Sequence, residues 1–426
     1  MKKSEPKKLK VVNEKTLIVT IDIGKVVNMG YCRCPDRTEV KPFKFHNNRE
    51  GFNKFWGCVS EIKAAKALEE IVVGLESTGA YGEPLMHYLQ DKPVVDAPGR
   101  VRLVQVNPMH TKKLKELQGN SPNKTDNKDP KVIADIIELG HALTVVIPKG
   151  TAAELRRLTQ ARERSIQRRT ALFNQLQDLV FTTFPEFLQV MKNVKTKTAQ
   201  YLLQHHPTPQ DIVEYGLKPL TSTLKRVSRG KLGAACAKTL YEAAGKSVGI
   251  KAGQAGIVFE IQEILLAIEA GERSVALFEE KLSEHLKQIP YSPSILSIKG
   301  IGEITAAGLI GEVGDFTKFS AASELLKHAG LDLFEIRSGK HKGKRRISKR
   351  GRPLFRKLLF FAAINTVRKG GIMHKHYQRH LEKGMKKIKA LVSIARKLLS
   401  IIFALVRDHS KYVVDYLEIQ NLKLAA

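Results

Sequence analysis

Four acidic residues are spaced so that they could hold divalent cations in a chain whose formal net charge is +30. Two of them, Asp126 and Asp129, stand three apart in KTDNKDPKVIADIIELG (124–140). On a helix that spacing puts both carboxylates on one face, close enough to share a ligand. The pair also has a second reading as a helix start, with Asp126 as cap and Asp129 in the first turn, where free N–H groups and the helix dipole favour acids. Asp22 and Glu76 extend the pattern. Asp22 lies near the end of TLIVTIDI (16–23), a β-branched apolar run leading into Gly24, and Glu76 lies in IVVGLEST (71–78). Both runs read as buried strands. Side chains at strand ends project from the sheet edge, where the helix carrying Asp126 and Asp129 could pack beside them. Four converging carboxylates repel one another when bare and are stabilised by cations. All-oxygen donors suit Mg²⁺ or Mn²⁺ rather than zinc. Two such ions activate an attacking oxygen and stabilise a leaving oxygen in phosphodiester cleavage.

The charge balance points to the same class of substrate. Lys and Arg number 72 against 42 Asp and Glu, and residues 337–357 contain eleven basic residues and no acid. Such clustering favours a phosphate-binding surface, with nucleic acid as partner. Hydrophobic content of 42% and aromatic content of 7% indicate a globular chain, and 426 residues suggest two or three domains. The four cysteines (Cys32, Cys34, Cys58, Cys236) are too few and too irregular for a disulfide framework, which favours a reducing, cytoplasmic setting. The apolar run 394–406 contains Arg396 and Lys397 and is shorter than the roughly 20 residues of a membrane span. MKKSEPKKLKVV reaches Asn13, Glu14 and Lys15 before an apolar signal-peptide core can develop.

The elements that must position the acids follow from periodicity. After the first strand, MGYCRC and VKPFKFH alternate like strands joined by PDRT, and residues 49–68 switch to helical spacing through Phe52, Phe55, Trp56 and Val59. The strand 71–78, a helix from Pro84, the strand 101–108, a short helix over 112–118 and the helix opened by Asp126 complete the order β-β-β-α-β-α-β-α. That order suits a mixed sheet covered by helices. From Thr151 the chain reads as helix almost throughout, with two long runs separated by an insert at about 185–250, either a coiled-coil arm or a helical bundle. The expected division is a basic tail at 1–15, a catalytic α/β domain at 16–148, a helical linker at 149–289 and a helical C-terminal domain at 290–426.

The strand IDIGK, the segment GLESTGAYGEPL and TDNKDPKVIAD, in this order, resemble the Asp-Glu-Asp-Asp (DEDD) N-terminal domain of insertion-sequence transposases related to the Piv invertases. The resemblance covers roughly 16–145 and 290–370. It implies an α/β fold of the ribonuclease-H-like, RuvC-like kind, followed by an all-α linker and C-terminal domain, with Asp22, Glu76, Asp126 and Asp129 as catalytic metal ligands. IDIG also opens the phosphate-binding domains of sugar kinases and actin-like ATPases, but the further Gly-rich loops those proteins need are not found here.

ILSIKGIGEITAAGLI (295–310) matches a helix-hairpin-helix element, in which Gly300 and Gly302 allow backbone N–H groups to approach a DNA phosphate and Lys299 adds charge. A plain αα-hairpin is the alternative. IRSGKHKGKRRISKRGRPLFRKLL resembles the second block of the same family, whose catalytic serine falls on Ser338, before Gly339. The family usually reads Ser-Ser-Gly-Gly where this chain has Arg-Ser-Gly-Lys, and Ser348 is the second candidate. A serine hydroxyl among Arg337 and Lys340 could attack a phosphodiester, with Lys344, Arg345, Arg346, Lys349 and Arg350 binding backbone phosphates and His341 near enough to act as base. The resemblance further implies a homodimer or tetramer with a composite site between protomers, guidance by a structured RNA, and a bacterial or archaeal, nucleoid-associated setting. Two other readings stay open: a metal-dependent junction nuclease that uses water, and a nonenzymatic nucleic-acid-binding protein.

Overall fold

The computed structural model describes residues 12–76, 79–90, 92, 101–118, 129–145, 147–335, 337–338, 341–343 and 345–413. The chain divides into two compact units, Met1–Ile147 and Pro148–Ala426.

The first unit runs β1 (Thr16–Asp22), β2 (Val27–Arg33), β3 (Glu39–His46), α1 (Arg49–Ala65), β4 (Glu70–Glu76), α2 (Glu83–Gln90), β5 (Val101–Val106), α3 (Pro108–Gln118), α4 (Asp129–Glu138) and the two-residue β6 (Leu143–Thr144). Its sheet has the order β3-β2-β1-β4-β5-β6. β1, β4 and β5 are parallel, while β2, β3 and β6 run antiparallel to their neighbours. This is the mixed α/β sheet of a ribonuclease-H-like domain.

Alternation along β1 and β4 builds a core on each face of the sheet. Leu17, Val19, Ile21, Ile71, Val73 and Leu75 pack with Phe52, Phe55 and Val59 of α1 and Leu85 and Leu89 of α2. Ile18, Val72, Val104 and Val106 face α4, which buries Val132, Ile133, Ile136 and Ile137. Each such burial contributes about 2 kcal/mol. A polar clamp adds to it. The Arg33 guanidinium at the end of β2 reaches Asp135 at 2.7 Å and Glu138 at 3.3 Å on α4, and Glu39 at 3.2 Å.

The second unit is mainly helical: α5 (Gly150–Thr183), α6 (Pro185–Met191), α7 (Lys197–His205), α8 (Pro209–Tyr215), α9 (Leu217–Val227), α10 (Ala234–Gly245), α11 (Gln254–Leu286), α12 (Ser292–Leu296), α13 (Glu303–Val313), α14 (Ala322–His328), α15 (Pro353–Thr366), α16 (His374–Glu382) and α17 (Lys387–Arg407). Two-residue strands β7 (Leu333–Phe334), β8 (Arg337–Ser338), β9 (His341–Lys342) and β10 (Arg346–Ile347) lie between α14 and α15. The long helices α5 and α11 pack along each other. At one end Phe173, Leu176 and Val180 of α5 and Ile261, Ile264 and Ile268 of α11 share a core with the helices of 185–250, so the insert is a bundle built on that hairpin. At the other end Ala152, Leu155, Leu282 and Leu286 join the core of α13, α15 and α17. Among the described residues, no helix is long and apolar enough to cross a membrane.

Candidate nuclease site and basic surface

The register of the sheet brings two of the four acids together. β1 and β4 pair in parallel up to Ile21 opposite Leu75, so Asp22 and Glu76 follow as neighbours at the two strand ends. Neighbouring strands lie about 4.8 Å apart. The face they share is set by the residues two before each. Thr20 donates its Oγ1 hydrogen to the carbonyl of Pro130 in α4 at 2.6 Å. A Cβ on Gly74 would lie 2.2 Å from Ile137 Cδ1 of α4, so only glycine lets the helix come this close to β4. Period-two alternation then places Asp22 and Glu76 on the side of the sheet that carries α4. Asp129, next to Pro130, stands at the start of that helix, where the helix dipole favours an acid.

α3 completes the arrangement with two residues four apart on one face. Thr111 donates to Glu76 Oε1 at 2.9 Å, and Lys115 Nζ lies 2.5 Å from Asp129 Oδ1. The expectation of a helix over 112–118 begins too late to include Thr111. Asn107 caps the helix through its side chain, accepting from Met109 N at 2.9 Å, and Pro108 takes the first helical position. The spacing Thr-x-x-x-Lys after Asn-Pro was the available signal.

Asp126 lies outside the described residues. Among those described, no group of three His, Cys, Asp or Glu side chains is close enough to hold a metal ion. Asp22, Glu76 and Asp129 nevertheless offer hard oxygen donors of the kind Mg²⁺ takes, at strand and helix ends. Lys115 supplies to Asp129 the positive charge that a cation would otherwise bring.

In the second unit, α12 and α13 flank a turn in which Lys299, Gly300 and Gly302 are exposed. Gly300 has φ +107°, and a Cβ there would meet Thr366 Cγ2 of α15 at 3.1 Å, so the turn requires glycine. Beyond Gly302, α13 is buried from Ala306 to Val313. Ser338 and His341 are register partners of β8 and β9, as are Arg337 and Lys342. Gly339, Lys340 and Lys344 lie outside the described residues. Arg345 and Arg346 are exposed, Arg345 reaching Glu335 at 3.4 Å, and Lys349 and Arg350 are exposed in the following turn.

Ser348 has a different environment. It donates its hydroxyl to the Asp332 carboxylate, and its backbone N–H bonds the Asp332 carbonyl at 2.9 Å. Its Oγ also accepts from Arg350 N at 3.2 Å. The hydroxyl is therefore a structural clasp across the base of the β7–β10 pair. Asp332 gave no signal in the sequence because its partner is 16 residues away.

The same basic segment is anchored on His328. Arg352 N donates to the His328 carbonyl at 2.9 Å, and the ring lies edge-on to Phe319 and Phe355. Burial, then the Arg352 and Arg156 charges, push the imidazole down to about 3. A histidine kept neutral in the fold costs stability as pH falls from the ordinary imidazole value of 6.5 toward 3, because the unfolded chain takes up the proton first. This unit should therefore lose stability below pH 6.5 by up to about 1.4 kcal/mol per pH unit, and none above it. His328→Gln should flatten that slope in thermal unfolding between pH 7 and 5. A wild-type profile no steeper than the variant's contradicts it.

A family model described as Transposase, of the DEDD insertion-element type, matches residues 19–185, and one described as Transposase IS116/IS110/IS902 family matches 292–378. Together the two segments cover more than half of the chain. The chain is 26% identical over 352 residues to the insertion element IS116 uncharacterized 44.8 kDa protein of Streptomyces clavuligerus, covering 82% of this chain and 85% of that protein. It is 27% identical over 299 residues to the insertion element IS900 uncharacterized 42 kDa protein of Mycobacterium paratuberculosis, covering 68% and 73%. A shorter match, 31% identical over 128 residues, is to the pilin gene-inverting protein of Moraxella lacunata, covering 29% and 40%. Asp22 and Glu76, the glycine turn before α13 and the basic segment all lie within the matched regions, and the chain belongs to the IS110/IS116 family of insertion-element transposases.

Proposed function

We propose that this transposase cuts and rejoins DNA with two sets of groups. Asp22, Glu76, Asp126 and Asp129 hold Mg²⁺ or Mn²⁺, and Ser338 is the nucleophile. When bound, the ions lower the energy of charge developing on phosphate oxygens. Ser338 Oγ bonds to phosphorus as the bond from phosphorus to the departing sugar oxygen breaks. The hydroxyl proton passes to a nearby base, for which His341 is the candidate, and the departing oxygen takes up a proton. Rejoining is the reverse step with a different sugar hydroxyl, so the phosphodiester energy is conserved in the phosphoserine link. Arg337, Lys340 and their cationic neighbours stabilise the charged transition state. Lys299, Gly300 and Gly302, in a helix-hairpin-helix role, and Lys344, Arg345, Arg346, Lys349 and Arg350 hold backbone phosphates. The same reading takes the protein to act as a dimer or tetramer guided by a structured RNA.

The observation that carries the reading is the adjacency of Asp22 and Glu76 on the α4 side of the sheet, with Asp129 at the start of α4. Apolar packing would not call for two acids on adjacent central strands. A Mg²⁺ titration followed by thermal unfolding tests it through Lys115. Lys115→Gln should lower metal-free stability by about 1 kcal/mol, since the acids lose their resident cation. Mg²⁺ should then raise the variant's Tm more than the wild type's. If Mg²⁺ moves neither, the carboxylates do not hold metal and the reading fails.

A further inference from the structure

Residues 186–250 of the bundle lie between the two family-matched segments, so neither accounts for them. From Tyr215 to Tyr241 it contains six Lys or Arg and no Asp or Glu. α9 sorts these residues to one side. Leu220, Thr223 and Leu224 are buried in the bundle core. Lys218, Ser222, Lys225 and Arg226, at helical spacing on the opposite side, line its outer face, with Lys218, Lys225 and Arg226 exposed. The row extends past the helix end, where Arg229 and Lys231 are exposed in the closing turn. None of Lys218, Lys225, Arg229 and Lys231 forms an ion pair with a described carboxylate, which leaves a run of uncompensated charge.

Two features show a surface held in place. Arg226 donates to the Tyr201 hydroxyl at 3.1 Å with its guanidinium 5.5 Å from the ring centroid, and Tyr201 stacks on His205 at 4.1 Å. Arg229 adopts φ +53°, a conformation that glycine or asparagine takes at lower cost, yet an arginine stands there.

We propose that the outer face of α9 and its closing turn form an additional DNA-binding surface, which grips the phosphate backbone of duplex DNA without reading sequence. From Lys218 to Lys225 the helix rises about 10 Å, enough to meet successive phosphates along one strand. Duplex DNA is the polyanion assigned because the chain is a transposase. The proposal rests on DNA as the family's substrate and on neither the acidic site nor the serine.

The test is fluorescence anisotropy of the full-length protein with a 40-bp duplex in EDTA, where no metal-dependent step occurs, over a range of salt concentrations. The triple variant Lys218→Gln/Lys225→Gln/Arg229→Gly should bind about tenfold or more weakly. Its slope of log K against log salt should fall by about 2 to 3, near 0.9 for each phosphate no longer neutralised. Arg229→Gly alone should lower the slope by about 1 while its Tm holds or rises, because glycine relieves the backbone; weaker binding then cannot be ascribed to misfolding. Lys246→Gln/Lys251→Gln/Lys287→Gln removes the same charge from other exposed positions and should leave the slope unchanged. Equal losses in both triple variants, or no loss in the first, overturn the proposal. So does tighter binding of an RNA duplex that depends on the same three residues, which would reassign the surface to RNA.

Discussion

Asp22→Asn and Glu76→Gln are each expected to lower Mg²⁺-dependent strand cleavage by about a thousandfold or more while leaving the protein folded. Both changes are near-isosteric. Glu76→Gln keeps an oxygen able to accept from Thr111. Both residues sit at strand ends, so the apolar cores on either face of the sheet are untouched. Removing one charge from a group of like charges relieves repulsion, and in metal-free buffer the Tm of each variant should equal or exceed that of the wild type. The gain in stability on adding Mg²⁺ should disappear. For a site at a hundred times its Kd that gain is about 2.7 kcal/mol. Loss of activity together with loss of metal stabilisation and unchanged metal-free stability identifies a metal ligand. Loss of activity with a lowered metal-free Tm would instead mark Asp22 and Glu76 as structural.

The two serines of the basic segment should separate just as sharply. Ser338→Ala is expected to abolish covalent attachment to DNA and to reduce strand exchange below detection, with no change in Tm. Ser348→Ala should do the converse. Its hydroxyl is engaged by Asp332, so removing it leaves that half-buried carboxylate short of a donor, a loss of about 1 to 3 kcal/mol. The variant should still form the adduct at temperatures where it is folded. If Ser348→Ala failed to form the adduct while keeping its Tm, the roles of the two serines would be reversed.

Much of the first unit was legible because its strands are written in β-branched residues buried on both faces, as TLIVTID and EIVVGLE are. The pairing of Asp22 with Glu76 required more than either strand alone. It depends on the parallel register of β1 and β4, which two strands and a helix separate in the chain and which no local spacing reveals. Thr111 was obscured by a helix start read four residues late, although Asn107 and Pro108 signal it. The Asp332–Ser348 clasp and the packing of the turn at Gly300 on Thr366 join segments distant in sequence, and a single chain offers no spacing rule for them. The insert showed its helices but not its arrangement, because amphipathic helices of similar pattern build either an extended arm or a bundle. Only the shared core of Phe173, Leu203, Leu220 and Leu240 distinguishes them.

The most direct test of serine chemistry at an acidic metal site is to trap the intermediate and locate it. Full-length protein is incubated with Mg²⁺, a candidate guide RNA and nicked DNA carrying the element ends, then denatured and digested, and the DNA-bearing peptide is identified by mass spectrometry. A nucleotide remnant on Ser338, formed by the wild type and absent from Asp22→Asn, is the expected result. Cleaved DNA with no attached peptide, or a remnant on any other residue, would contradict it.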